Sequence, residues 1–182
     1  RSSDLCNQII TVNDSIAPTI TCPAPVTVAC ITDVPAPDIT LVTATDNCGI
    51  PAITWISDVS NGLKCPETIT RTYMATDSCG NTTTCTQIIT IHDTINPVIV
   101  TCPSDVVLTA NANCESIVPD FISALVASDN CGIASITQLP ASGTLIAPVQ
   151  FGDTIVVTLT VTDSCSNSAM CTANIIIADN FP

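Results

Sequence analysis

Basic residues are almost missing from this chain. Its 182 residues include three Lys+Arg against sixteen Asp+Glu, a net charge of -13. Phosphate backbones repel such a surface, which excludes nucleic acid as a partner. Aromatics are scarce too, at 3%. Histidine occurs once, as His92, and there is no Cys-x-x-Cys pair; the closest cysteine spacings are Cys79 to Cys85 and Cys165 to Cys171. That spacing argues against structural zinc. No apolar run approaches the roughly 18 residues of a membrane span, so membrane insertion is not expected. A G-x-S-x-G elbow and a phosphate loop are both absent, and His92 has no evident catalytic companion. Neither a catalytic residue nor an organic cofactor is read from the chain, and it is not expected to be an enzyme. The start of the chain lacks a charged region followed by an apolar one, so any secretion signal is expected to be already removed or to lie outside the sequence.

What is present is cysteine and acid. Twelve cysteines and 46% hydrophobic residues describe a folded chain in an oxidising compartment, outside the cell or on its surface. The natural counterpart of so many carboxylates is a dissolved cation.

Repetition is the strongest pattern. NDSIAPTITCP (13–23) matches HDTINPVIVTCP (92–103), ATDNCGI (44–50) matches ASDNCGI (127–133), and ATDSCGN (75–81) matches VTDSCSN (161–167). CNQIITVND (6–14) returns as CTQIITIHD (85–93) and as CTANIIIAD (171–179). The layout is a tail strand over 1–13, a first repeat over 14–92 and a second over 93–182. Thr, Val and Ile alternate in short runs broken by Pro, Gly, Asn and Asp, which is strand and turn chemistry. The runs TITC, VTVAC, ITLVTATD, AITWIS, TITRTYMATD and TCTQIITI are the expected strands of the first repeat. The fold class is all-β: two tandem immunoglobulin-like β-sandwich domains preceded by an orphan strand.

Following the strands back and forth gives each repeat an entry pole, where it begins, and an exit pole. DNCG and DSCGN both land at the entry pole. Asp14, Asp46 and Asp77 then converge, as do Asp93, Asp129 and Asp163.

The series TCP, VTVAC, ATDNCG, CP, TRTYMATDSCGN and a closing cysteine resembles hyalin-type (HYR) repeats, over nearly the whole chain after residue 13. The resemblance implies an immunoglobulin-like sandwich in tandem arrays, with adhesive or structural roles outside the cell. The second repeat departs from it: no cysteine matches Cys65, and SCSN replaces SCGN.

The poles constrain the disulfides. The expected pairs are Cys22–Cys85, Cys30–Cys65 and Cys48–Cys79, then Cys102–Cys171 and Cys131–Cys165. Cys6 and Cys114 are left over. They are two free thiols or an interchain pair, unless Cys114 takes Cys131 and leaves Cys165. Six cysteines alone allow fifteen connectivities.

Calcium takes six to eight oxygens from carboxylates, carbonyls, amides and water. The two aspartate triads, with Asn13, Asn47 and Asn81 alongside, are the expected Ca2+ ligands. NDSIAP also resembles the calcium-binding linker between cadherin domains. The competing reading is that Asp-Asn-x-Gly only makes turns. Asn13 and Asn81 also begin glycosylation sequons, for which plain turn residues are the simpler account.

The tail duplicates the closing strand of each repeat. An exposed strand rich in Ile and Val seeks a partner. Strand addition to a neighbour would supply one, and a head-to-tail contact that does not close makes a filament. The leading reading is therefore a secreted calcium-binding structural subunit whose partners are copies of itself. A second is a stalk or adhesin segment of a long cell-surface protein. A third is a carbohydrate-binding module whose partners are surface glycans.

Overall fold

The structure, a computed structural model, describes residues 9–178. Cys6 and most of the expected tail strand lie outside the described residues. Residues 9–12 are in no strand, and Ile9, Ile10 and Val12 are exposed. The described chain forms two compact units. The first contains Val34–Gly62 and Glu67–Thr90 together with the segment ending at Thr27; the second contains Val28–Asp33, Leu63–Pro66 and the chain from Ile91 on. Two loops of the first repeat thus belong to the second unit.

In the first unit, β1 (Thr19–Thr21) pairs antiparallel with β3 (Thr43–Thr45). A four-stranded sheet runs β2 (Val26–Val28), β6 (Thr82–Ile91), β5 (Glu67–Thr76), β4 (Ala52–Ser60). Burial alternates along β5, placing Ile69, Arg71, Tyr73 and Ala75 on the buried face, as period-two geometry requires. The expected strand ITLVTATD is shorter than its composition suggests. Ile39–Leu41 form a 3-10 turn instead, because the Asp38 carboxylate accepts from both the backbone N–H and the hydroxyl of Thr40, at 2.8 and 2.6 Å. That local bond competes with strand pairing.

In the second unit, β7 (Val98–Thr101) pairs with β10 (Val126–Ser128), and β9 (Ser116–Ile117) pairs with β12 (Leu145–Ile146). The main sheet runs β11 (Ile133–Leu139), β13 (Thr154–Asp163), β14 (Ser168–Ala178), β8 (Val106–Thr109), with β8 parallel to β14. Val157, Leu159 and Val161 of β13 and Ala173, Ile175 and Ile177 of β14 are buried, and Phe121, Leu125 and Val149 close over them.

Four disulfides link the described residues. Cys22, just after β1, is joined to Cys85 on β6, and Cys102, just after β7, to Cys171 on β14. Each ties a short ribbon to the main sheet of its unit, closing a loop long enough to contribute about 4 kcal/mol by chain constraint. Three expected pairs are corrected. Cys30 is joined to Cys131 rather than to Cys65, and Cys65 to Cys165, so there is no Cys131–Cys165 bond. Cys48 and Cys79 are free and exposed, as is Cys114. The physical reason is that the loops carrying Cys30 and Cys65 fold into the second unit. There they meet the turns of Cys131 and Cys165, with Cα separations of 5.1 and 5.0 Å. Pairing within each repeat was the wrong constraint.

A polar anchor sits in the first unit. Arg71 is 2% exposed, and its guanidinium donates to both Asp58 oxygens at 2.9 and 2.8 Å. The Trp55 indole N–H donates to Asp58 at 3.0 Å. The Arg71 hydrogen bonds hold the Asp58 carboxyl below the usual carboxylate range. A carboxylate with a depressed folded pKa stabilises above its unfolded value, near 3.9, and the contribution is lost as pH falls through the folded value. Asp58→Asn should therefore cost about 1–3 kcal/mol at neutral pH, and the gap to wild type should narrow as pH falls below about 4. Urea midpoints measured down the pH series test this. A gap that stays constant to pH 2 contradicts it.

Candidate metal centres

Each repeat builds the same turn twice. In the first unit, Asp46 follows β3 and accepts the Cys48 N–H at 2.9 Å. Asp77 follows β5, and one of its oxygens accepts the N–H groups of Cys79 and Asn81, at 2.9 and 2.8 Å. Its other oxygen accepts from the Asn81 side chain at 2.7 Å. Asp14 accepts the Ile16 N–H at 3.0 Å, and its carbonyl receives the Asn81 amide at 3.1 Å. One Asn81 amide therefore ties Asp14 to Asp77. That bond also holds the Asp77 carboxyl below its ordinary range.

The second unit repeats the arrangement in a more buried form. Asp129 accepts from Cys131 and Gly132 at 2.9 and 3.0 Å. Asp163 accepts from Cys165 and Asn167 at 2.8 and 2.9 Å, and its second oxygen from the Asn167 side chain at 2.7 Å. The same Asn167 amide donates to the Asp93 carbonyl at 3.0 Å. Asp93 accepts from Ile95 and from the Asn130 side chain, at 3.0 and 3.1 Å. Asp93 and Asp163 are only 3% and 4% exposed.

The six aspartates singled out from sequence are thus brought together in two groups of three. In each group one oxygen from every carboxylate lies within 4.8 Å of the others. Four of the oxygens are buried without a hydrogen-bond partner among the described residues: Oδ2 of Asp14 and of Asp93, and Oδ1 of Asp46 and of Asp129. The same two positions are open in both units. An unpaired buried carboxylate oxygen is costly. Three like charges this close repel by an amount on the order of 3 kcal/mol per pair at an effective dielectric near 20. The chain has three basic residues to offset sixteen acidic ones, and Arg71 is already engaged by Asp58. The donors are hard oxygens, and the spread matches a cation whose oxygen ligands sit at about 2.3–2.6 Å.

The asparagines divide differently from expectation. Asn81 positions carboxylates through its amide N–H groups, which also engages the nitrogen that its sequon would modify. Asn13 and Asn47 are exposed. Asn130 and Asn167 do positioning work that sequence reading missed. The signal was there: Asn167 stands four residues after Asp163, as Asn81 does after Asp77. Ser166 replaces Gly80 within the motif. Ser166 adopts φ 70° where Gly80 has 91°, so the left-handed turn is kept, at a cost of about 1–2 kcal/mol.

Residues 18–91 match the family model described as an HYR-like domain with 4 cysteines. No curated protein matches the chain. Among solved structures, human mucin-like protocadherin EC1-2 is similar at 12% identity and TM-score 0.40, over 88% of this chain and 98% of that one. The N-terminal Ig1-2 module of the Drosophila receptor protein tyrosine phosphatase DLAR is similar at 13% identity and TM-score 0.29, over 90% of this chain and 100% of that one. No helix among the described residues is long and apolar enough to cross a membrane.

The positioning role of Asn167 is testable. Asn167→Ala removes donors to Asp93 and Asp163 and should cost about 1–2 kcal/mol. Asn167→Asp should cost more, because it replaces the donor by a fourth carboxylate. Urea unfolding of both variants decides it, and an Ala variant as stable as wild type removes the role.

Proposed function

We propose that the chain is a secreted structural subunit that binds calcium at both triads and polymerises head to tail into an extracellular filament. The observation that carries the metal reading is the pair of open, buried oxygens on Asp93 and Asp129, repeated on Asp14 and Asp46. Asp14, Asp46 and Asp77 hold one ion, and Asp93, Asp129 and Asp163 the other. When bound, the ion supplies positive charge that offsets the carboxylate repulsion. The residues of the chain do the rest: Asn81 and Asn167 tie the backbone carbonyl of the first aspartate to the carboxylate of the third, and the turn N–H groups aim the second. Each ion would thereby lock the start of a repeat onto two of its turns.

Assembly is supported by the exposed apolar residues Ile9, Ile10 and Val12, which copy the closing strands of both repeats in sequence. A second copy of the chain is the occupant that such a segment fits. A stalk segment within a long surface protein is favoured instead by the HYR-like match over 18–91, since repeats of that kind need only space other domains.

Calcium at a hundredfold excess over its dissociation constant should stabilise by about 2.7 kcal/mol per site, raising Tm by roughly 5–10 °C. Asp129→Asn should lose the share of the second site, and Asp46→Asn that of the first. In calcium the chain should form filaments visible by negative stain, and a chelator should loosen or dissolve them. Unchanged melting with no metal in elemental analysis overturns the calcium reading. A lasting monomer on size exclusion in calcium turns the assignment to the stalk segment.

A further inference from the structure

The free cysteines are not scattered. Cys48 stands where Cys131 stands: both follow an aspartate by two residues in a DNCG turn, and both donate their N–H to it at 2.9 Å. Cys131 is bonded to Cys30, two residues past β2, the strand beside the last strand of its sheet. The position of Cys30 in the second repeat is held by Cys114, which follows β8, the strand beside β14. Cys114 is exposed and held in a defined turn: its N–H donates to the Asn111 carbonyl at 3.0 Å, and its carbonyl accepts from Val149 at 2.9 Å. One half of the Cys30–Cys131 bond therefore stands open on the first unit, and the other half on the second.

We infer that Cys48 of one copy forms a disulfide with Cys114 of a second copy, repeating the Cys30–Cys131 bond between molecules. This rests on the head-to-tail reading above. Two further observations fit it. Ile50, beside Cys48, is 98% exposed, while Ile133 at the matching position is partly buried against its core. Next to Cys114 lies an open concavity of about 570 Å³ lined by Thr109, Glu115, Ile117 and Leu145. Ile50 of the copy that carries the bonded Cys48 is the apolar group to enter it. The contact carries a single bond. GLKCP (62–66) is matched by TLIAP (144–148), so Ala147 stands where Cys65 would reach, and Cys79, the counterpart of Cys165, meets no thiol there.

The bond forms by exchange with a low-molecular-weight disulfide such as glutathione disulfide. The Cys48 thiolate attacks it, forming a mixed disulfide and expelling one thiolate. The Cys114 thiolate then attacks the Cys48 sulfur and expels the second. Two protein thiols are oxidised, and one disulfide is reduced to two thiols.

The full chain is assembled in calcium with a glutathione redox pair, then run on a denaturing gel without reductant and mapped by peptide mass after blocking free thiols. The expected result is a ladder that collapses on reduction, a crosslinked peptide joining Cys48 to Cys114, and blocked, unbonded Cys79. Cys48→Ser and Cys114→Ser should each abolish the ladder, and Cys79→Ser should leave it. Mixing Cys48→Ser with Cys114→Ser should give covalent dimers and nothing longer, since each supplies one thiol. A map joining Cys114 to Cys6 or to Cys131, or Cys48 to Cys79, overturns the inference. Filaments without a ladder overturn it while leaving the filament reading intact. Monomer by both gel and size exclusion overturns the two together.

Discussion

One hydrogen bond organises the chain: an aspartate carboxylate accepting the backbone N–H of a cysteine two residues on. It occurs at Asp46, Asp77, Asp129 and Asp163, at 2.8 to 2.9 Å each time. The turn it closes fixes two things together. One carboxylate oxygen is spent on the turn, so the next is aimed at its neighbours in the triad. The cysteine is presented on the same turn. The same turn thus sets charge clustering four times, while the cysteine it presents is bonded at Cys131 and Cys165 and free at Cys48 and Cys79.

That arrangement was partly legible in the sequence. The triads were, because ATDNCG, ASDNCG, TDSCGN and TDSCSN repeat the spacing and a strand path places them at one pole. The disulfides were legible only where both cysteines sit in one repeat, as with Cys22 and Cys85. Cys30 and Cys65 lie in loops that leave the first unit for the second, and no periodicity in a sequence reports which unit a loop joins. Asn130 was hidden for another reason: its amide bond to Asp93 joins residues far apart in the chain. The shortened strand at Ile39–Leu41 turns on Asp38, whose side-chain bonds outweigh the β preference of the residues after it.

A low aromatic content sets the energetic frame. With Tyr73, Phe121 and branched aliphatic residues as the largest buried side chains of the two units, hydrophobic burial per sandwich is modest. The alternation along β5 and β13 is nevertheless regular, so the register is well specified even where burial is thin. Disulfides between ribbon and sheet then stabilise by restricting the unfolded chain rather than by adding contacts.

The two triads differ in burial, and that difference has a physical consequence. Asp93 and Asp163 are almost wholly buried, whereas Asp14, Asp46 and Asp77 are half-exposed. The Cys30 and Cys65 loops, bonded to the turns of the second triad, belong to its unit. A carboxylate cluster shielded by covalently attached loops loses solvent screening and gains in field strength toward a cation. The half-exposed triad has the same carboxylates, the same asparagine clamp and the same unsatisfied oxygens, without loops bonded to its cysteines. Its charge is therefore screened more strongly. Under the proposed calcium reading, an ion held there would be the one whose affinity depends on what covers the triad.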